Sequence, residues 1–187
     1  MPAGEPQPVT LFSVGHGARS VEEFVKLLRS AGIERIVDVR SRPGSRRHPQ
    51  FGQHALAERL EDAGIEYVWR KDLGGFRTSK LGSAHAGLSS DGFRGYADHM
   101  DTEEFARALE WLLARGAERP TAFMCAESAW TSCHRRMLAD AVEARGGSVF
   151  HLMDGRTPER HRPHPAARLD GSRVVYDVDQ PEQQMLG

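Results

Sequence analysis

Residues 121–139, TAFMCAESAWTSCHRRMLA, hold the pattern on which the fold turns. Thr121 to Cys125 is a short apolar run bounded by a polar turn, which reads as a buried strand ending in a thiol. Glu127 lies in the turn, and a helix is expected from about Ser132 to Ala144, opening near Cys133-His134-Arg135. A strand that feeds a helix through a polar turn is the repeating unit of α/β proteins. Chemistry in such proteins gathers at the strand end and the helix mouth.

Working outward, the same unit recurs. Val9 to Val14 predicts a first strand, closed by Gly15-His16-Gly17. Ser20 and Glu23 form a capping box for a helix whose Val21, Phe24, Val25, Leu27, Leu28 and Ala31 share one face, with Gly32 as its stop. Ile33 to Val39 predicts a second strand. A polar Arg/Pro/Gly loop, Arg40 to Gln53, leads to a short helix, His54 to Ala63, and a third strand, Ile65 to Trp69. The tetrapeptide Ala-Gly-Ile-Glu occurs at 31–34 and again at 63–66, each copy a helix end, a glycine stop and a strand start. Arg70 to Met100 has six glycines and no clear periodicity, and is expected to be a long functional loop. Asp101 and Glu104 start a helix carrying Phe105, Leu109, Leu112 and Leu113 and ending at Gly116. Past the central stretch, Ser148 to Leu152 predicts a fifth strand.

These elements predict a single-domain, doubly wound, Rossmann-like α/β fold over residues 9–154. Its mostly parallel sheet would have about five strands in the order 3-2-1-4-5. Residues 1–8, with three prolines, read as a disordered arm. The Arg/His/Pro-rich tail 155–187 is expected to hold a hairpin from Ala167 to Val178 that turns at Asp170-Gly171.

Composition narrows the function. The chain has 187 residues, is 39% hydrophobic and 27% charged, and carries a net charge of -1, so no overall basic field advertises nucleic acid. No apolar run approaches the ~18 residues of a membrane span. The first residues lack the charged and apolar regions of a signal peptide, so a cytoplasmic location and no membrane partner are expected. Two cysteines in that compartment read as reduced thiols rather than a disulfide.

Strand ends at one rim supply His16, Asp38, Arg40, Cys125, Glu127 and His151. Each has a plain structural reading: a strand-end histidine usually bonds a loop, and Cys125 in an apolar run is usually a small buried hydrophobe. Their coincidence on one edge is what marks a site. Arg40, Arg42, Arg46 and Arg47 leave that rim on the second strand's loop, and guanidinium groups there suit phosphate or carboxylate. Phe51, Phe93, Tyr96 and Trp130 are placed to stack on a base or to close loops over the core. Cys125 and Cys133 are separated by seven residues, which matches no short zinc pattern, and the expected site contains no metal. A histidine supplied by the fold would be needed to complete one. The phosphatase pattern of Cys, five residues and Arg also fails, because Thr131 stands where its arginine would be.

These motifs taken together resemble the family of the domain of unknown function 488. The likeness runs through Val14-Gly15-His16, Asp38-Val39-Arg40 with Arg42, Pro43 and Ser45, Phe51, and Leu73-Gly74-Gly75. It continues through Phe93-Arg94-Gly95-Tyr96-Ala97, Met100, Cys125-Ala126-Glu127 and Cys133-His134-Arg135. The resemblance implies a compact α/β domain with a shared polar site and no assigned reaction. Gly17, His99 and Trp130 stand where the family generally has Ser, Tyr and Pro.

Three readings follow. The first is an enzyme acting on an anionic, nucleotide- or nucleic-acid-related substrate. Cys125, Glu127, Asp38, His16 and Tyr96 would form its catalytic set, and Arg40, Arg42, Arg94, Cys133, His134 and Arg135 would bind the substrate. The second is a non-catalytic module for nucleic acid or another anion, resting on the arginine loop, the loop aromatics and Arg156, Arg160 and Arg162. The third is a thiol- or metal-dependent site at Cys125 and Cys133. No cofactor is identified by any motif.

Overall fold

A computed structural model describes residues 8–44 and 46–178 of the chain, so most of the expected N-terminal arm and the last nine residues lie outside the described residues. The strands are β1 (Thr10–Gly15), β2 (Arg35–Asp38), β3 (Glu66–Trp69), β4 (Thr121–Cys125), β5 (Ser148–His151), β6 (Glu159–Arg160), β7 (Ala167–Asp170) and β8 (Arg173–Tyr176). The helices are α1 (Val21–Ser30), α2 (Gln53–Asp62), α3 (Asp91–Met100), α4 (Glu103–Glu118) and α5 (Arg135–Ala144). The α/β Rossmann-like architecture is as expected. The main sheet runs β3-β2-β4-β1-β5-β6, parallel except for β6 at its edge, and β7-β8 is a separate hairpin.

The strand order differs from the expected 3-2-1-4-5 because β4 is inserted between β1 and β2. It pairs Asp38 with Met124 on one side and Gly15 with Cys125 on the other. All five β4 residues are buried, so the most enclosed apolar run takes a central place where neighbours cover both its edges and both its faces. Cys125 therefore ends a strand flanked by the rims of both β1 and β2.

Side chains alternate across the sheet. Leu11, Val37 and Phe123 join the α3, α4, α5 and hairpin side, while Val14, Ile36, Ala122 and Met124 join the α1 and α2 side. On that second side Phe24, Leu28, Leu56 and Leu60 are fully buried, each contributing about 1.5–3 kcal/mol relative to exposure. The capping box of α1 is formed: the Glu23 N–H donates to Ser20 Oγ at 3.1 Å and the Ser20 N–H to Glu23 Oε2 at 2.8 Å.

The stretch Arg70–Met100 is not loop throughout, since its last ten residues are α3. Gly92 and Gly95 hide this helix from propensity, and both have a cost there. Gly95 is needed because a Cβ would lie 2.6 Å from the Thr78 backbone, where the preceding loop crosses the helix. Asp98 ties that loop down, accepting from the Lys80 N–H and the Ser83 hydroxyl, each at 2.8 Å. The hairpin turns at Gly171, φ +62°, as expected, and pairs Asp170 with Arg173. Among the described residues no helix is long and apolar enough to cross a membrane.

Candidate functional site

At the carboxyl end of β4 two thiols converge on one imidazole. Cys125 Sγ lies 3.9 Å and Cys133 Sγ 3.7 Å from His134 Nδ1. The other nitrogen, Nε2, meets the Val39 carbonyl at 3.1 Å. A carbonyl only accepts, so the Nε2–H is the donor, and in the neutral ring Nδ1 presents its lone pair to the sulfurs. Gly75 covers the ring, where a Cβ would come within 2.5 Å of Nδ1, and Tyr96 meets it edge-on at 5.0 Å. All three residues are buried, and both cysteines are free. Among the described residues, the three donor atoms are a group all within 4.8 Å of one another.

The sulfurs are electrostatically unequal. The hydrogen bond between them, then burial, push the Cys125 thiol well up. That same bond, helped by Arg135, holds Cys133 well below the usual thiol range despite its burial. The Arg135 N–H, 3.5 Å from Cys133 Sγ, favours the same partner.

Arg135 is the buried cation beside the two thiols. Its side chain is 1% exposed, and none of the described ion pairs joins it to a carboxylate. Nη1 donates to Ser13 Oγ at 3.0 Å and Nη2 to the Glu127 and Ser128 carbonyls, while Nε is buried without a hydrogen-bond partner among the described residues. Gly15 ends β1 to make room, because a Cβ there would sit 1.8 Å from the Glu127 carbonyl and 2.8 Å from Nη2.

A second buried arginine on the same rim is closed. Asp38 accepts from Arg40 Nε at 2.9 and 3.1 Å, Arg40 Nη2 at 2.6 Å, the Arg40 N–H at 3.1 Å and the Tyr67 hydroxyl at 2.6 Å. Those donors fill the carboxylate's acceptor sites and leave it little to offer a substrate. Burial and then Asp38 push the Tyr67 hydroxyl up. His16 stacks on Phe51 at 4.2 Å, donates from Nδ1 to the Gly17 carbonyl at 2.8 Å, and is joined through its N–H to the Cys125 carbonyl at 3.0 Å. Burial, only partly offset by the Gly17 bond, brings its pKa down to about 4.

The fold thus gathers Cys125, Cys133, His134, Arg135 and Tyr96, and sets His16, Asp38 and Arg40 beside them. It does not gather Glu127 and Arg42, whose side chains are exposed. Glu127 contributes its carbonyl to Arg135, while its carboxylate faces solvent. Arg94 lies on α3, half-buried, with Nε lacking a partner among the described residues. The Tyr96 hydroxyl donates to the Leu73 carbonyl at 3.1 Å, and burial, followed by Cys133, raises its pKa well above the ordinary value. Phe51, Tyr96 and Trp130 are buried and form no open stacking surface. In the tail, Arg160 pairs with Glu143 at 3.1 Å and Arg162 with Glu159 at 2.6 Å.

Sequence reasoning missed the polar chain behind Arg135. Ser13 Oγ meets His151 Nδ1 at 2.9 Å, His151 Nε2 meets His161 Nδ1 at 3.0 Å, and His161 Nε2 meets Asp140 Oδ1 at 2.8 Å. The Tyr176 hydroxyl donates to Asp140 Oδ2 at 2.8 Å. Arg135 only donates, so one set of protons satisfies the series: Ser13 donates to His151, His151 to His161 and His161 to Asp140. Burial, then His161 and Arg135, lower the His151 pKa to about 2, consistent with a neutral ring stacked on Trp130 at 4.0 Å. Tyr67 was also missed, although strand alternation from Trp69, which pairs with Asp38, points its side chain to the same face.

The family model for the domain of unknown function DUF488 matches residues 20–142. The chain belongs to the DUF488 family. No curated protein and no solved structure matches it. The DUF488 match takes in Asp38, Arg40, Tyr96, Cys125 and Cys133-His134-Arg135, and leaves His16, His151 and the C-terminal tail outside.

Proposed function

We propose that this DUF488 protein is an enzyme acting on a small anionic substrate at the rim of β4 and α5. Cys125, Cys133 and His134 form its reacting centre and Arg135 its anion-binding group. The observation that carries this reading is a buried guanidinium beside two thiols that, among the described residues, has no carboxylate partner and no acceptor on its Nε. A buried charge without a fixed counter-ion is costly, and an anionic ligand supplies one. His134 and the thiols take the acid/base work first expected of Glu127 and Asp38, because one carboxylate faces solvent and the other is filled. Asp38 acts as a positioning residue that holds Arg40. A nucleic-acid strand is the weaker reading, since Arg160 and Arg162 are paired with carboxylates of the chain and Phe51, Tyr96 and Trp130 are buried.

Calorimetric titration with inorganic phosphate and with adenosine 5′-monophosphate tests this. Binding is expected in the wild-type chain, weakened at least tenfold in Arg135→Lys and unchanged in Arg42→Ala. Equal affinity in all three would sink the proposal.

A further inference from the structure

We infer that Cys125, Cys133 and His134 are ligands to a thiophilic divalent ion of the zinc class, with a fourth position left for an oxygen ligand. This rests on the rim being an anion-handling site and names the cofactor that site would use.

The geometry is close to a finished coordination sphere. Zinc bonds of about 2.3 Å to sulfur and about 2.0–2.1 Å to nitrogen, at tetrahedral angles, separate the two donors by about 3.6 Å. The sulfur-to-Nδ1 distances are 3.7 and 3.9 Å, so each sulfur need shift by only a few tenths of an ångström. The imidazole is already oriented as a ligand. Its Nε2–H is fixed on the Val39 carbonyl, the outer contact that metal-binding histidines use, and this leaves Nδ1 free for an ion. Two thiolates and an imidazole are soft donors that select zinc over magnesium or calcium. Three protein ligands with one position open is the arrangement of catalytic rather than structural zinc.

Charge balance joins this ion to the anionic substrate. Two thiolates cancel the ion's two positive charges. The Asp38–Arg40 pair is neutral within itself. Arg135 then remains the uncompensated buried cation of the centre. Hydroxide or a substrate oxyanion at the fourth position supplies the missing charge. Bound to such an ion, water ionises near neutral pH and a substrate oxygen is polarised.

The test uses the full-length chain. Metal content is measured by mass spectrometry after purification without chelator, and cobalt(II) is titrated into the chelated protein. One zinc per chain is expected, together with a thiolate-to-cobalt charge-transfer band in the near ultraviolet. That band needs no variant, so it reads out even if a cysteine substitution fails to fold. Cys125→Ser and Cys133→Ser should each weaken cobalt binding by more than the ~10–100-fold that loss of an outer contact costs. No retained zinc, no charge-transfer band, and thiol alkylation at the same rate with and without zinc would overturn the inference. It stands if zinc binds while phosphate affinity ignores Arg135, an outcome that removes only the anion reading. It falls if phosphate affinity depends on Arg135 in a chain that takes up no metal.

Discussion

Arg40 and Arg135 are both buried arginines at the same sheet edge, yet their surroundings differ in kind. Arg40 lies against a carboxylate two residues away and shares it with Tyr67. Arg135 reaches across from α5 to two carbonyls and a serine and keeps its Nε–H unused among the described residues. Each has a neutral histidine nearby, His16 beside Arg40 and His151 behind the Ser13 that Arg135 holds. The contrast teaches that burial alone does not mark a functional charge. A cation closed by its own chain braces the rim, whereas one without a fixed counter-ion has capacity left for a ligand.

The sharpest way to break the contrast is to open the closed pair. Asp38→Ala leaves Arg40 buried without its partner and should cost about 3–5 kcal/mol in urea unfolding. Acid comes next. Both histidines bind protons less readily folded than unfolded, where their pKa is near 6.5, so the stability they contribute is complete above that pH and falls below it. Each can remove at most about 1.4 kcal/mol per pH unit. From pH 6.5 to about 4 both act, and below that only His151 continues, toward its folded value of about 2. Unfolding midpoints of His16→Gln and His151→Gln against pH should therefore each lose part of the slope. A wild-type profile flat from pH 6.5 to 4.5 would contradict the buried neutral rings. Arg135→Met, which breaks no carboxylate pair, should cost only about 1–3 kcal/mol by stranding its acceptors. A loss as large as that of Asp38→Ala would erase the distinction. Tyr67→Phe, removing one donor among several on Asp38, is expected to cost about 1 kcal/mol in the same assay.

Much of the scaffold was legible because its signals are local. In the two Ala-Gly-Ile-Glu copies, the Ile33 N–H donates to the Leu28 carbonyl at 3.0 Å and the Ile65 N–H to the Leu60 carbonyl at 2.8 Å, the same helix ending twice. The capping box at Ser20 and the glycine turn at Gly171 were equally local. What escaped depended on distant partners. Helix α3 is masked by Gly92 and Gly95, and the reason for Gly95 is the loop that crosses it. The strand order was invisible because β1 and β4 are both apolar runs, and only tertiary packing decides which lies next to β2. Strand β6 has two residues, too few for any period.

The site divides along the same line. Cys125, Cys133, His134 and Arg135 were found from their place at a strand end and a helix mouth. Their convergence on Nδ1 was not, because it depends on the connection between the cysteines folding back. The carboxylate of Glu127 marks it in the sequence, yet it serves through its carbonyl. Trp130, a loop aromatic by its sequence, is the stacking partner of His151. Residue type announced which chemistry was available at the rim, and only the fold decides which atoms are turned toward it.

The account rests on Arg135 having, among the described residues, a buried Nε–H to spare where that of Arg40 is held on Asp38. Side-chain Nε–H resonances followed by proton–nitrogen NMR during a phosphate titration test this directly, with assignments from Arg135→Lys and Arg40→Lys. The predicted result is a saturable shift of the Arg135 Nε–H while that of Arg40, held on Asp38, stays in place. If the Arg135 resonance does not move, or both move together in proportion to ionic strength, the account is contradicted.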